Sequence, residues 1–282
     1  MTRFLSGAVL VALAVGIVWF AHPLLFLAVA EALLALAFVE YAKLAAAGGT
    51  PIPFFPALAA TMLTSLGVGA THWVGDRLVG TGVALDAIFI SGFVALAAMT
   101  LTSWKGERDA LARAAAAVFP MLYLGLPIGS MLAIRTLRGR EVLFLLMLVV
   151  MASDTAQYYT GRAFGQRLLA PSISPKKTIE GGIGGMVMSV ITAIVTHFTF
   201  FPEFPLVHAI IAGALLSVSG MIGDLAESMW KRSANVKDSG TLLPGHGGFL
   251  DRFDSIFFTA PILYTYWSLI VRNFRSLNIM QG

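Results

Sequence analysis

Cysteine is absent from the 282 residues. That excludes disulfide bridges and any metal site built on thiolates. Charge is nearly as scarce. Asp, Glu, Lys and Arg together make up 12% of the chain, about half the ~25% of an average soluble domain. No stretch of domain size is polar enough to form a separate soluble unit, and no convincing internal repeat is visible. The basic residues are not interleaved with aromatics, so the net charge of +4 points to anionic lipid and cytoplasmic loops rather than to nucleic acid. What remains is greasy: 57% of the residues are hydrophobic and the mean hydropathy is +0.82. Apolar runs of about 20 residues, long enough to cross a bilayer, recur throughout.

The expected fold class is therefore all-α: a polytopic integral membrane protein forming one membrane-embedded domain over 1–282. About nine transmembrane helices are predicted, near 4–21, 24–46, 54–73, 82–102, 110–134, 141–160, 180–201, 206–230 and 254–272. The first run carries Arg3 ahead of it and lacks a small-x-small cleavage site before His22 and Pro23. It is expected to be a retained span rather than a signal peptide. Placing the N-terminus in the cytoplasm puts thirteen Lys and Arg residues on the cytoplasmic side and six on the other, which is the positive-inside bias. Arg135, Arg138 and Arg140 after the fifth span weaken it.

The N-terminal half carries few chemical signals. Glu31, Glu40 and Asp86 fall within apolar spans. Carboxylates there usually face the bundle interior, and a structural hydrogen bond or a place near the interface is expected for these. His22, His72, His197 and His208 are scattered without metal-ligand spacing and read as packing or interfacial residues. Trp19, Trp73 and Trp104 sit near span ends as interface anchors. Gly125 and Gly129 suit close helix packing.

Against this background, residues 220–255 stand out. They hold five of the fifteen acidic residues (Asp224, Glu227, Asp238, Asp251 and Asp254) and four of the nineteen basic ones (Lys231, Arg232, Lys237 and Arg252). Such charge beside a bilayer is costly and calls for a functional reason. Asp224, Glu227 and Lys231 fall at i, i+3 and i+7, one face of a helix, and Asp251 and Asp254 repeat the i, i+3 step. Between them lies Pro244-Gly245-His246-Gly247-Gly248, whose glycines allow positive φ and close approach of backbone to a ligand. Carboxylates of this kind are hard ligands for Mg²⁺. With Lys and Arg beside a glycine loop, they suit phosphoryl or nucleotidyl transfer, which needs charge neutralisation more than a covalent nucleophile. His246 is compatible with structuring the loop or with a role at the substrate.

A second informative stretch covers 153–185. Asp154, Tyr158 and Arg162 form one helical stripe, and Ser174, Pro175, Lys176 and Lys177 precede Glu180, Gly181 and Gly182. A proline-ordered basic loop before a glycine-rich helix start suits a phosphate or lipid headgroup. It also reads as a positive-inside loop touching anionic lipid.

Both stretches resemble the CDP-diacylglycerol synthase (phosphatidate cytidylyltransferase) family. In the first, Ser228, Lys231, Arg232, Lys237, Asp238, Gly240, Pro244, Gly245, His246, Gly247, Gly248, Leu250, Asp251, Arg252 and Asp254 match its long signature in order and spacing. In the second, Asp154, Thr155, Tyr158, Gly161, Arg162, Phe164 and Gly165, then Ser174 to Thr178, Glu180 and Gly181, match its second recurring block. The two blocks cover about a quarter of the chain, and the rest resembles the family only in span count and hydropathy.

The resemblance implies transfer of CMP from CTP to phosphatidic acid, giving CDP-diacylglycerol and pyrophosphate, with the catalytic part near 150–260. It implies catalytic roles for Asp224, Glu227, Lys231, Asp251 and Asp254, with a divalent cation such as Mg²⁺, and room for a second cation, on Asp224, Asp251 and Asp254. Asp154, Tyr158, Arg162, Ser174, Lys176, Lys177, Lys237, Asp238, Gly245, His246, Gly247, Gly248 and Arg252 would bind substrate. The expected setting is the plasma (inner) membrane with the site facing the cytoplasm, with membrane lipid as partner and a homodimer allowed. Two alternatives remain open at this stage: a cytidylyltransferase acting on another lipid phosphate, and a cation-coupled transporter, which also places carboxylates and broken helices in the membrane. No residue can be assigned to the cytosine base.

The charge bias has a direct test. Reporter fusions after Lys177 and after Lys237 should both report a cytoplasmic location. Opposite locations would separate the two stretches by the membrane and rule out a single site.

Overall fold

The computed structural model describes residues 12–70, 85–106, 108–137, 139–240 and 247–271. Helix α1 is described over 12–20. It is followed by α2 (Pro23–Ala47), α3 (Phe54–Ala70), α4 (Leu85–Ser103), α5 (Ala110–Pro120), a π turn (Met121–Gly125) and α6 (Leu126–Leu137). Then come α7 (Arg140–Phe164), α8 (Ile179–Thr199), α9 (Leu206–Ser233) and α10 (Leu250–Tyr266), the last continued by a π turn at Trp267–Val271. Among the described residues, six helical stretches are long and apolar enough to cross a membrane: Pro23–Ala47, Leu85–Ser103, Ala110–Thr136, Arg140–Phe164, Ile179–Thr199 and Leu206–Ser233. The predicted third span is a shorter apolar helix, Phe54–Gly69, α10 has 17 residues, and much of the predicted first span lies outside the described residues. The polytopic helical class holds, with six spans supported by helix length.

Local chemistry sets the helix ends. In α2, Pro23 occupies the first turn, where a missing N–H costs nothing, and His22 Nδ1 accepts from Leu24 N at 3.3 Å. Gly49, at φ 82°, turns the chain away after Ala47. Pro120 cannot donate to the turn before it. The helix continues through the π turn, with Leu126 N donating to Met121 O, so Ala110–Thr136 remains one apolar stretch.

Packing divides the chain into two compact units, Met1–Arg140 with Met229–Phe253 and Glu141–Ser228 with Asp254–Gly282. The chemically informative region near 150–260 contributes to both.

In the first unit, α2, α3, α5 and α6 pack on one another around Leu34, Ala37, Phe38, Ala57, Leu124 and Ala133, all with no exposed area. Tyr41 on α2 donates its hydroxyl to Ala116 O on α5 at 2.7 Å. Helices α3 and α6 meet along Gly125 and Gly129, as small residues permit in membranes. A Cβ on Gly125 would lie 2.6 Å from Thr61 O, and one on Gly129 would lie 2.6 Å from Val68 Cβ and 2.7 Å from Ser65 O. Arg135 Nε donates to Val18 O at 3.0 Å, and the Arg140 guanidinium lies 4.8 Å from the Trp19 ring centre. These two arginines serve the C-terminal end of α1, where cations are favoured. That local role accounts for their departure from the positive-inside bias.

The second unit departs from the predicted loop between α7 and α8. Residues Leu168–Ala170 (β1) and Ser174–Thr178 (β2) pair as an antiparallel hairpin with Leu168 opposite Thr178 and Ala170 opposite Ser174. Thr178 then caps α8, its Oγ1 accepting from Gly181 N at 3.1 Å. The glycines that follow are packing sites. A Cβ on Gly181 would sit 2.8 Å from Gln157 O, and those on Gly184 and Gly185 would strike Thr160 and Gln157 of α7. Further along, Gly213 of α9 abuts Ser189 O and Val190 of α8, and Gly223 faces Asp254 O and Phe258 of α10. His197 Nδ1 lies 2.7 Å from Phe204 O, and His208 Nδ1 lies 2.7 Å from the Tyr266 hydroxyl, so both histidines are packing residues, as expected.

The tight α3–α6 contact predicts that Gly129→Val, whose new atoms meet backbone and a buried side chain, lowers stability by about 1–3 kcal/mol. Gly16→Ala, with nothing within 4 Å of its Cβ, should leave it unchanged. Thermal unfolding of detergent-solubilised protein measures both. Equal midpoints for Gly129→Val and the parent would refute the close contact.

Candidate active site

The second unit brings together residues from four elements. Lys177 on β2 forms an ion pair with Asp224 on α9. Asp254, just past the first turn of α10, lies within electrostatic reach of Asp224, Asp154 and Lys177. Gly223 makes this possible, because its missing side chain lets α9 approach the backbone at Asp254. Ser228 Oγ donates to Asp224 Oδ1 at 3.4 Å, and Asp254 Oδ1 accepts from Ser255 N at 2.6 Å. Asp154, on α7, accepts from Gln157 Nε2 at 3.3 Å and keeps an exposed side chain. One turn on, Arg162 Nη1 donates to the Tyr158 hydroxyl at 3.4 Å, both groups exposed. Three carboxylates and one ammonium therefore share this region, an excess of negative charge.

The hairpin separates the two lysines of the basic loop. Successive side chains of a strand point to opposite faces. Lys177 turns inward to Asp224, whereas Lys176 is exposed. Ser174 is half-buried at the start of β2, and Glu227, one turn beyond Asp224, is fully buried.

The first unit holds a second group of the predicted residues. Helix α9 ends with Lys231 and Arg232 in its last turn, where cations complement the free carbonyls. Asn235, at φ 56°, reverses the chain, with Val236 N returning to Lys231 O at 2.9 Å. Lys231 Nζ then donates to Asp251 Oδ1 at 2.5 Å. Asp251 Oδ2 accepts from Ser239 N at 3.0 Å, Ser239 Oγ at 3.1 Å and Gly248 N at 2.9 Å. Burial pushes the Asp251 carboxyl up, but the Lys231 ammonium and the Gly248 and Ser239 N–H groups outweigh it and hold it below the usual carboxylate range. Gly247, at φ 84°, takes a backbone conformation that a side chain disfavours. Lys237, Asp238 and Arg252 are exposed. Gly245 and His246 lie outside the described residues.

Two residues absent from the sequence-based site join this network. Ser239 donates its N–H to Asp251 and places its hydroxyl within hydrogen-bond distance of the same oxygen. Glu40, from the buried side of α2, accepts from Ser239 Oγ at 3.0 Å and from Leu250 N at 2.9 Å. The expectation of a structural hydrogen bond for Glu40 is met, but its partners are the charged loop itself.

The sequence matches the model of the cytidylyltransferase family over residues 1–270. The chain belongs to the cytidylyltransferase family. A Bacillus subtilis relative named phosphatidate cytidylyltransferase is 41% identical over 145 residues, 51% of this chain and 54% of that protein. A Staphylococcus haemolyticus protein of the same name is 38% identical over 211 residues, 74% of this chain and 76% of its own length. An uncharacterised Escherichia coli protein is 42% identical over 137 residues, 48% of this chain and 46% of its own. The chain thus spans about half the length of the Bacillus relative and three quarters of the Staphylococcus one.

For a cytidylyltransferase, Asp154, Asp224 and Asp254 beside Lys177 form a donor set suited to a hard cation and to phosphate. Among the described residues, no three His, Asp or Glu side chains form a ready-made metal site. The predicted metal trio of Asp224, Asp251 and Asp254 differs in how its members are engaged. Both oxygens of Asp251 are already engaged by Lys231, Ser239 and Gly248. Asp224 and Asp254 fit better, since Mg²⁺ commonly takes only one or two protein carboxylates and completes its shell with water and phosphate oxygens.

The two aspartates of α10 should therefore respond differently to neutralisation in metal-free buffer. Asp251→Asn leaves the Lys231 ammonium without its carboxylate and should destabilise the protein by about 1–3 kcal/mol. Asp254→Asn removes a repulsion and should leave the thermal midpoint equal or higher. The reverse order of midpoints in EDTA would overturn this division.

Proposed function

We propose that this cytidylyltransferase transfers CMP from CTP to phosphatidate, forming CDP-diacylglycerol and pyrophosphate. Family membership and the relatives named phosphatidate cytidylyltransferase support the reaction. The observation that carries the assignment of its site is the grouping of Asp154, Asp224 and Asp254, from three helices, with Lys177 of the hairpin.

The chemistry follows from the charges. Phosphatidate presents a phosphate oxygen that is already anionic. That oxygen attacks the α-phosphorus of CTP. The bond from the α-phosphorus to the oxygen bridging it to the β-phosphate breaks, and that electron pair leaves with pyrophosphate. No strong general base is required. The main obstacle is bringing two polyanions together. A divalent cation, when bound, supplies the neutralisation that the developing charge requires. Asp224 and Asp254 would hold it, with Asp154 at their border and room for a second cation. Lys177 then serves phosphate as well as Asp224, and Glu227 backs the site from within the protein. Lys176, Arg162 and Tyr158, all exposed, border the headgroup. Lys231 and Asp251 set the end of the glycine loop, with Lys237, Asp238 and Arg252 around it. The site faces the cytoplasm, where CTP is found, and the acyl chains stay in the bilayer.

Purified protein in detergent with CTP and phosphatidate should release pyrophosphate. EDTA should abolish turnover and Mg²⁺ restore it. Asp224→Asn and Asp254→Asn should lower kcat by roughly 10²-fold or more while the protein remains folded. Near-parental turnover by the folded Asp254→Asn variant, or full turnover in EDTA, would refute the metal-assisted site. Turnover of other lipid phosphates but not phosphatidate would refute the substrate.

A further inference from the structure

Glu40 lies on α2, nearly 200 residues before the loop it touches, yet the residue is 1% exposed and its carboxylate sits between that loop's stems. Oε2 accepts from the Ser239 hydroxyl at 3.0 Å and from Leu250 N at 2.9 Å. These donors lie on either side of the glycine segment. The other oxygen, Oε1, is buried with no donor among the described residues. Asp251 grips the same stems through Ser239 N and Gly248 N. The Ser239 hydroxyl lies within hydrogen-bond distance of both carboxylates, at 3.0 and 3.1 Å, but has one proton to give. Asp251 Oδ2 already has two backbone donors, so that proton completes the pair on Glu40.

The carboxylate also accounts for two glycines of the charged stretch. A methyl group on Gly240 would strike Glu40 Oε1 and lie 2.7 Å from its Cδ. One on Gly248 would strike the Ser239 hydroxyl and lie 2.7 Å from Glu40 Oε2. Neither glycine has a positive φ; among the described glycines of the charged stretch, only Gly247 does. They are small because Glu40 fills the space.

We infer that Glu40 is a positioning residue of the active site. It ties Ser239–Gly240 to Gly248–Leu250, so that Asp251 presents Oδ1 to Lys231 in a fixed geometry. This rests on the proposed cytidylyl transfer, in which Lys231 and Asp251 set the end of the glycine loop. Its action is to accept hydrogen bonds. Because Oε1 has no donor among the described residues, an amide nitrogen can take its place, and glutamine should substitute for Glu40 where alanine cannot.

The test compares Glu40→Ala, Glu40→Gln and Ser239→Ala in the full-length protein by two independent readouts. Hydrogen–deuterium exchange over peptides covering 234–253 reports loop placement without reference to activity. CTP-dependent pyrophosphate release reports function. Glu40→Ala should speed exchange in that region only, and lower kcat by ~10²-fold with KM for CTP within about threefold, since misplacement of a catalytic group affects turnover more than uniform binding. Glu40→Gln should exchange like the parent and keep kcat within about tenfold. Ser239→Ala should fall between them, and it decides the matter should Glu40→Ala not insert. Parental exchange in both alanine variants would overturn the inference, as would glutamine and alanine at 40 losing turnover equally, because a charge and not a hydrogen-bond acceptor would then be required. A parent protein without activity on CTP and phosphatidate would refute the proposed reaction, and the exchange comparison would still decide whether Glu40 holds the loop.

Discussion

A carboxylate removed from water must find a positive charge or hydrogen-bond donors, or be protonated. In a chain with so few charges beside so much apolar helix, that constraint organises everything around it. Asp251 takes Lys231 and two backbone amides. Asp224 takes Lys177. Glu40 takes a hydroxyl and a backbone amide. Each pairing joins segments distant in sequence, so satisfying the charges and shaping the site are one process.

Close approach of helices is the second requirement. In a bilayer the hydrophobic effect does little to hold helices together, and small residues at their contacts matter more. Here the glycines act at two levels. Gly125 and Gly129 hold α6 against α3 within one unit, and Gly181, Gly184 and Gly185 hold α8 against α7 within the other. Gly223 brings α9 to the backbone of Asp254, which places Asp224 and Asp254 in one electrostatic neighbourhood. The packing residues thereby set the distance between the groups that would meet the substrate.

The excess of negative charge around Lys177 and the saturated surroundings of Asp251 represent two uses of the same residue type. Where carboxylates outnumber cations, the arrangement favours a bound cation and its phosphate ligands. Where every oxygen has a donor, the carboxylate braces the backbone. The i, i+3 spacing of Asp251 and Asp254 places both near the start of α10 but carries no information about which use each serves. Their neighbours on other elements decide it.

Much was legible in the linear chain. Long apolar runs specify membrane helices because hydrogen bonds must close within each segment in lipid, and dense charge against that background marks the site because it is expensive there. The order and spacing of the residues in two stretches were sufficient to indicate the family. Other features depended on tertiary structure. Lys176 and Lys177 look equivalent in sequence, and only strand pairing turns one inward and leaves the other exposed. Arg135 and Arg140 look like misplaced topology signals until α1 packs beside them. Glu40 looks like an isolated carboxylate in a span, because a hydrogen bond between residues 40 and 239 leaves no periodic mark in either segment. Periodicity and composition report what a segment requires of its medium. Which distant group satisfies each charge is determined when the helices pack.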